Sequence, residues 1–142
     1  MAGQATIITS LQINSGRIQY QNGGTSFVAV VTGSKGPVPG AVTVPMEGID
    51  IDFSQLIQPG LCRIMNLDLS NPVHYGIWDP LTLRFYALGK LLPGESYILR
   101  LSEYIGETVN PLSGTGTVGM GTTLRFVPTV APLDVLVEAF ET

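Results

Sequence analysis

The sequence predicts an all-β fold: an antiparallel β-sandwich or jelly-roll-like domain with long Gly/Pro loops and a flexible N-terminal arm. Three observations carry this expectation. Among 142 residues, 17 Gly and 10 Pro are too many for a helical bundle, since both residues interrupt helix interiors. Turn punctuation recurs along most of the chain, and the apolar runs between turns are strand-sized and often alternate with polar residues. Nowhere does an i, i+3, i+4, i+7 stripe last eleven residues. The length suits one domain, residues 1–142, and a chain of this size buries enough surface to form a core without a metal or disulfide.

In chain order, Thr6 to Ile13 alternates, with Ile7, Thr9, Leu11 and Ile13 on one face. Asn14-Ser15-Gly16 turns into Arg17 to Gln21. Asn22-Gly23 predicts a type I′ hairpin, whose two central residues both need positive φ, and Phe27 to Thr32 follows as a fuller apolar strand. Gly33 to Gly40, with four glycines and prolines among its last five residues, reads as an exposed loop. Ala41 to Val44 and Gly48 to Phe53 are extended; in the second, Ile49, Ile51 and Phe53 face one way, Asp50 and Asp52 the other. Pro59-Gly60 leads into Leu61 to Leu67, a strand apolar on both faces. Val73 to Trp78, Thr82 to Leu88, Ser96 to Leu101, Thr122 to Val127 and Leu133 to Phe140 complete about ten short strands, spaced as sandwiches and barrels require. Helix is limited to single turns at Phe53 to Ile57 and Ser102 to Val109. Residues 1–5 read as a flexible arm and residues 113–123 as a Gly/Thr-rich loop.

Charged side chains make up 13% of the chain, about half the usual complement of a soluble domain. With a mean hydropathy of +0.31, this argues against disorder and for a surface partly covered by neighbours. The net charge of −4, with five Arg and two Lys scattered singly, weighs against nucleic acid as a partner. Cys62 is the only cysteine, which excludes an internal disulfide and a Cys-based zinc site. The first residues lack a basic n-region and an apolar h-region, and no apolar run approaches the ~18 residues of a spanning helix, so no membrane partner is expected.

Several constellations could carry chemistry, and each has a plainer reading. Gly114, Gly116 and Gly119 spell G-x-G-x-x-G, but a dinucleotide site needs a strand before the motif and a helix after it; a flexible Gly/Thr loop is the simpler account. His74, the only histidine, could join Asp79 or Asp68 and a serine, yet no G-x-S-x-G elbow exists, and a structural or interface histidine is favoured. Asp50, Asp52 and Glu47 offer oxygens, but calcium takes six to eight ligands; a solvated strand face guarding an edge is preferred. Glu103 and Glu107 would repel at helical spacing. Trp78, Tyr75, Tyr86, Phe85 and Tyr97 could stack on sugars, although core or interface roles are commoner for such rings. The expectation is a non-enzymatic chain without metal or cofactor.

One stretch carries a resemblance: Arg63-Ile64-Met65-Asn66-Leu67-Asp68, then Val73-His74-Tyr75-Gly76, then Leu88-Gly89-Lys90-Leu91-Leu92-Pro93-Gly94-Glu95, and Leu99-Arg100-Leu101. Residues 60–101 thus resemble small all-β structural proteins of tailed-phage virions. The resemblance implies a capsid decoration (cement) protein, a homotrimer bound to the major capsid protein or other virion proteins, assembled in the host cytoplasm and located in the virion. A receptor- or glycan-binding module of a tail or spike is the alternative. The candidate protein-contact residues are Ile7, Ile8, Val38 and Val118, in the segments least able to pair within a sandwich.

Overall fold

A computed structural model describes residues 3–31, 35–102, 105, 107–109, 116–118 and 123–141. Among these residues there is no helix, and every paired strand is antiparallel. The all-β prediction stands. The chain divides near residue 33 into two compact units, where the sequence suggested one domain.

The first unit is a two-stranded ribbon. Strand β1 (Gly3–Thr9) pairs with β4 (Thr25–Val31), and β2 (Gln12–Ser15) pairs with β3 (Ile18–Gln21). Gly3, Gln4 and Ala5, expected in a flexible arm, are β1 residues opposite Val31, Val30 and Ala29. The hairpin expected at Asn22-Gly23 lies elsewhere. Gly16 and Arg17 make the two-residue turn, with Gly16 at φ +31°. At the Asn-Gly pair the ladder is interrupted, so that Asn22, Gly23 and Gly24 stand opposite Ser10 and Leu11. The reason is local: the Asn22 side chain accepts the Gly24 N–H at 2.9 Å, and only Gly24 takes positive φ, +83°. A type I′ turn needs two such residues; one makes a bulge.

The second unit, residues 34–141, is the sandwich. One sheet has the order β10-β7-β14-β5, from Ser96–Arg100, Pro59–Asn66, Leu133–Glu141 and Val38–Val44. The other has the order β6-β13-β8-β9, from Ile49–Asp50, Thr123–Pro128, Val73–Asp79 and Arg84–Leu91. Strand β11 (Glu107–Val109) pairs antiparallel with β12 (Gly116–Val118). Alternation along β14 and β13 sends Leu133, Val135, Val137, Leu124 and Phe126 into one core with Val44, Ile51, Ile64, Val73 and Leu91. Burial of these aliphatic side chains, about 1.5–3 kcal/mol each, is the main force closing the sandwich.

Three local expectations are corrected. Val38, Pro39 and Gly40 belong to β5 rather than to a loop. Proline is tolerated there because β5 is an edge strand, where a missing N–H leaves no neighbour unpaired, and Gly40 supplies φ +94°. Asp52 does not share a strand with Asp50: β6 ends at Asp50, and Asp52 accepts the Ser54 N–H at 2.8 Å to close a turn. Glu107 lies in β11 rather than in a helical turn; Glu103 lies outside the described residues, and one Ile105 N–H to Ser102 carbonyl bond of 3.1 Å marks a turn before it. By contrast, Pro93-Gly94 forms the expected turn: the Glu95 N–H bonds the Leu92 carbonyl at 3.0 Å with Gly94 at φ +77°, as a type II turn requires.

Candidate assembly surface

The ribbon is the least self-sufficient part of the molecule. Direct pairing puts Ala5 beside Ala29 and Ile7 beside Phe27 on one face, and Gln4, Thr6 and Ile8 beside Val30, Val28 and Ser26 on the other. On the first face Ile7 and Ala29 are buried. On the second, Ile8, Val28 and Val30 are 70%, 56% and 54% exposed. Towards the tip, Ile13, Ile18 and Tyr20 share one exposed face, while Gln12, Asn14, Gln19 and Gln21 share the opposite one. Counting Leu11 and Phe27, eight large apolar side chains are exposed in the ribbon. The same stretch contains a single charged residue, Arg17, at the turn.

The predicted contact residues divide. Ile8 is exposed and Ile7 is buried, both in β1; Val38 is half-buried in β5 and packs on the sandwich core. Val118 stands opposite Glu107 in β12, and its side chain lies outside what is described. The sequence reading missed Leu11, Ile13, Ile18, Tyr20, Phe27, Val28 and Val30. Their signal was present: a stretch that alternates or runs apolar while carrying almost no charge.

On the sandwich, the outer face of the β6-β13-β8-β9 sheet carries a polar cluster. Cross-strand pairing aligns Asp50 with Arg125 and Thr123 with Trp78. The Arg125 guanidinium lies 3.9 Å from the Trp78 ring centre, and its Nε sits 2.8 Å from Asp50 Oδ1, an ion contact rather than an aligned hydrogen bond. His74 is half-exposed on the same face, opposite Val127 and Lys90. The carboxylates considered as its partners serve their own turns. Asp79 accepts from Thr82 Oγ1 at 2.6 Å and from the Leu81 N–H at 2.9 Å. Asp68 accepts from the N–H groups of Ser70 and Asn71 at 2.7 and 2.6 Å. These donors hold both carboxyls below the usual carboxylate range, the Thr82 hydroxyl being the largest influence on Asp79 and the Ser70 N–H on Asp68. Gly116 opens a strand, where a dinucleotide fingerprint needs a helix N-terminus; Gly114 and Gly119 lie outside the described residues.

At one end of the sandwich, a cleft of about 420 Å³ is lined by Thr43, Asp68, Leu69, Asn71, Pro132 and Asp134 among others. Two of its polar side chains engage each other, Asp134 accepting from Thr43 Oγ1 at 2.7 Å, and Asp68 accepts from its own loop's N–H groups. The loop beside it is built on Asn66, which is fully buried. Its Nδ2 donates to the carbonyls of Asn71 and Leu91 at 2.9 and 3.2 Å, and its Oδ1 accepts the Asp68 N–H at 3.0 Å. Cys62 is buried in the core, and burial, with Glu138 nearby, pushes its thiol up to about 12. No group of three or more His, Cys, Asp or Glu side chains is placed to hold a metal ion among the described residues. Comparison with protein-family models, curated proteins and solved structures finds no match.

Proposed function

We propose that this chain is a non-catalytic structural subunit, a decoration (cement) protein that binds and stabilises a phage capsid shell. The observation that carries this reading is the ribbon, which exposes eight large apolar side chains beside one charge. A free monomer gains nothing from such a surface, whereas a subunit that spends its working life in contact with other protein gains stability each time one of these groups is covered. The likeness of residues 60–101 to small virion proteins supplies the kind of assembly. A decoration protein works by additive burial: each copy bridges neighbouring shell proteins, and a contact of about 1,600 Å² suffices for stable attachment when well packed.

The alternative, a glycan-binding module, calls for an open aromatic platform. Arg125 covers one face of Trp78, and Tyr86 and Tyr97 stand on different sheets, so the structural reading is the better supported. The test is biochemical. Particles purified from the source that encodes the chain, stripped and analysed by mass spectrometry, are expected to contain it in fixed stoichiometry to the main shell protein. Recovery only from the particle-free fraction would refute the proposal.

A further inference from the structure

We infer that the ribbon of residues 3–31 is a self-association element whose partner is the same ribbon in a second copy of this chain. The inference rests on the structural reading above for its premise that the ribbon is covered in an assembly; it adds what covers it.

Charge selects the partner. Arg17 is the ribbon's only charged side chain, so the other six basic and all eleven acidic residues lie outside it. Two copies that approach through their sandwiches meet with net negative charge on both sides, and like charge opposes contact. Two ribbons meet with almost none. A different protein that chose its partner by charge would find nothing to read on this surface.

The strands point the same way. Phe27, Val28, Ala29, Val30 and Val31 place apolar side chains on both faces of β4, the pattern of a strand covered twice. The two ribbon segments are two-stranded sheets, so among the described residues β1 and β4 each have one unpaired side. Natural edges are guarded by Lys, Pro or inward charge, and residues 3–31 contain no Lys, Pro, Asp or Glu. Three of the four edge strands of the sandwich carry a proline or a basic residue: Pro39 lies in β5, Lys90 in β9 and Arg100 in β10. An isolated hairpin is at best marginally stable, and added strands stabilise it; an identical ribbon offers matched spacing and matched apolar faces, as an isologous contact requires.

The area is of the right order. The eight side chains are 38–70% exposed; at roughly 150 Å² per large side chain, they present about 600 Å² per copy. A standard interface covers about 800 Å² per partner, and backbone at the open edges makes up the difference.

The test is sedimentation equilibrium of the intact chain, from about 1 to 100 µM, against the double variant Val28→Asp/Val30→Asp. The parent is expected as a discrete oligomer whose mass is unchanged between about 0.05 and 1 M salt, because apolar contact is not screened. The double variant should associate about a hundredfold more weakly, since each aspartate must be desolvated where a valine was buried. Leu69→Asp, on the 93%-exposed residue of the sandwich loop, should leave the mass unchanged. If the double variant loses its near-ultraviolet signal from Trp78, Ile13→Asp/Ile18→Asp at the ribbon tip takes its place with the same expectation. A monomeric parent, dissociation by salt, or ribbon variants that keep the parent's mass would each overturn the inference. A monomer found on particles would sink the ribbon pairing but not the structural role; an oligomer absent from particles would do the reverse.

Discussion

Replacing Asn66 by Leu tests the polar joint on which one end of the sandwich is built. The substitution keeps roughly the same volume and removes three hydrogen bonds, to Asn71, Leu91 and Asp68. Two carbonyls and one N–H lose a partner at a residue with no solvent exposure. Each buried group left unsatisfied costs about 1–3 kcal/mol, while the added apolar contact of leucine returns part of this. The net loss should be about 2–4 kcal/mol. For a chain of this length, 1 kcal/mol moves the melting temperature by about 3–4 °C, so Tm should fall by about 6–16 °C. Differential scanning calorimetry and urea titration, with an unchanged m-value, would read it. The backbone bonds around Asn66, from its N–H to the Glu95 carbonyl and from the Gly94 N–H to its own carbonyl, remain available, so the fold should persist. A loss below about 1 kcal/mol would mean that water replaces the side chain freely, and the account of Asn66 as a buried joint would fail.

Three further outcomes are expected. Arg125→Met should shift the fluorescence of Trp78, the only tryptophan, and cost about 1 kcal/mol through the lost cation–π contact and ion pair; an unchanged spectrum would contradict the stacked geometry. Cys62, with its thiol raised to about 12 by burial and then by Glu138, should resist a thiol reagent in the native state at pH 8 and react once upon unfolding; fast native labelling would count against that burial. Asp52, Asp68 and Asp79 have lowered carboxyl pKa values, so their contribution is present above the ordinary value of 3.8 and lost as pH falls through the lower folded values. Stability should therefore decline on the acid side, and the triple Asp→Asn variant should decline less; equal acid sensitivity of parent and variant would refute the assignment.

The β class was legible because turns are local. Pro93-Gly94 carries its own geometry, and a reader of the sequence needs nothing else. Asn22-Gly23 shows the limit of that kind of signal, since the same dipeptide serves a hairpin or a bulge, and the pairing of β1 with β4 around it decides. Pro39 and Gly40 looked like loop residues because their place at a sheet edge is fixed by Glu138 and Val137, about 100 residues away. The Asp50–Arg125 contact spans 75 positions and has no local signature. Asn66 had no local signature of its own, because its role depends on Leu91 and Asn71 closing over it. The ribbon was half legible: its apolar character was plain, whereas its separation from the sandwich follows from where the chain makes its contacts.

Chain order gives the unguarded ribbon a place in time. Residues 3–31 precede the sandwich, whose last core strand ends at Glu141, so translation releases the ribbon first. At about 5–20 residues per second, roughly 6–20 s pass before the sandwich can close. During that interval a nearly uncharged segment with eight large apolar side chains left exposed emerges ahead of the sandwich. Chains growing side by side on one messenger then present the same segment to one another at high local concentration, and chaperones compete for it. Slower translation or lower temperature lengthens the interval, which makes the conditions of synthesis, rather than the stability of the finished sandwich, the lever on how much protein is recovered in usable form.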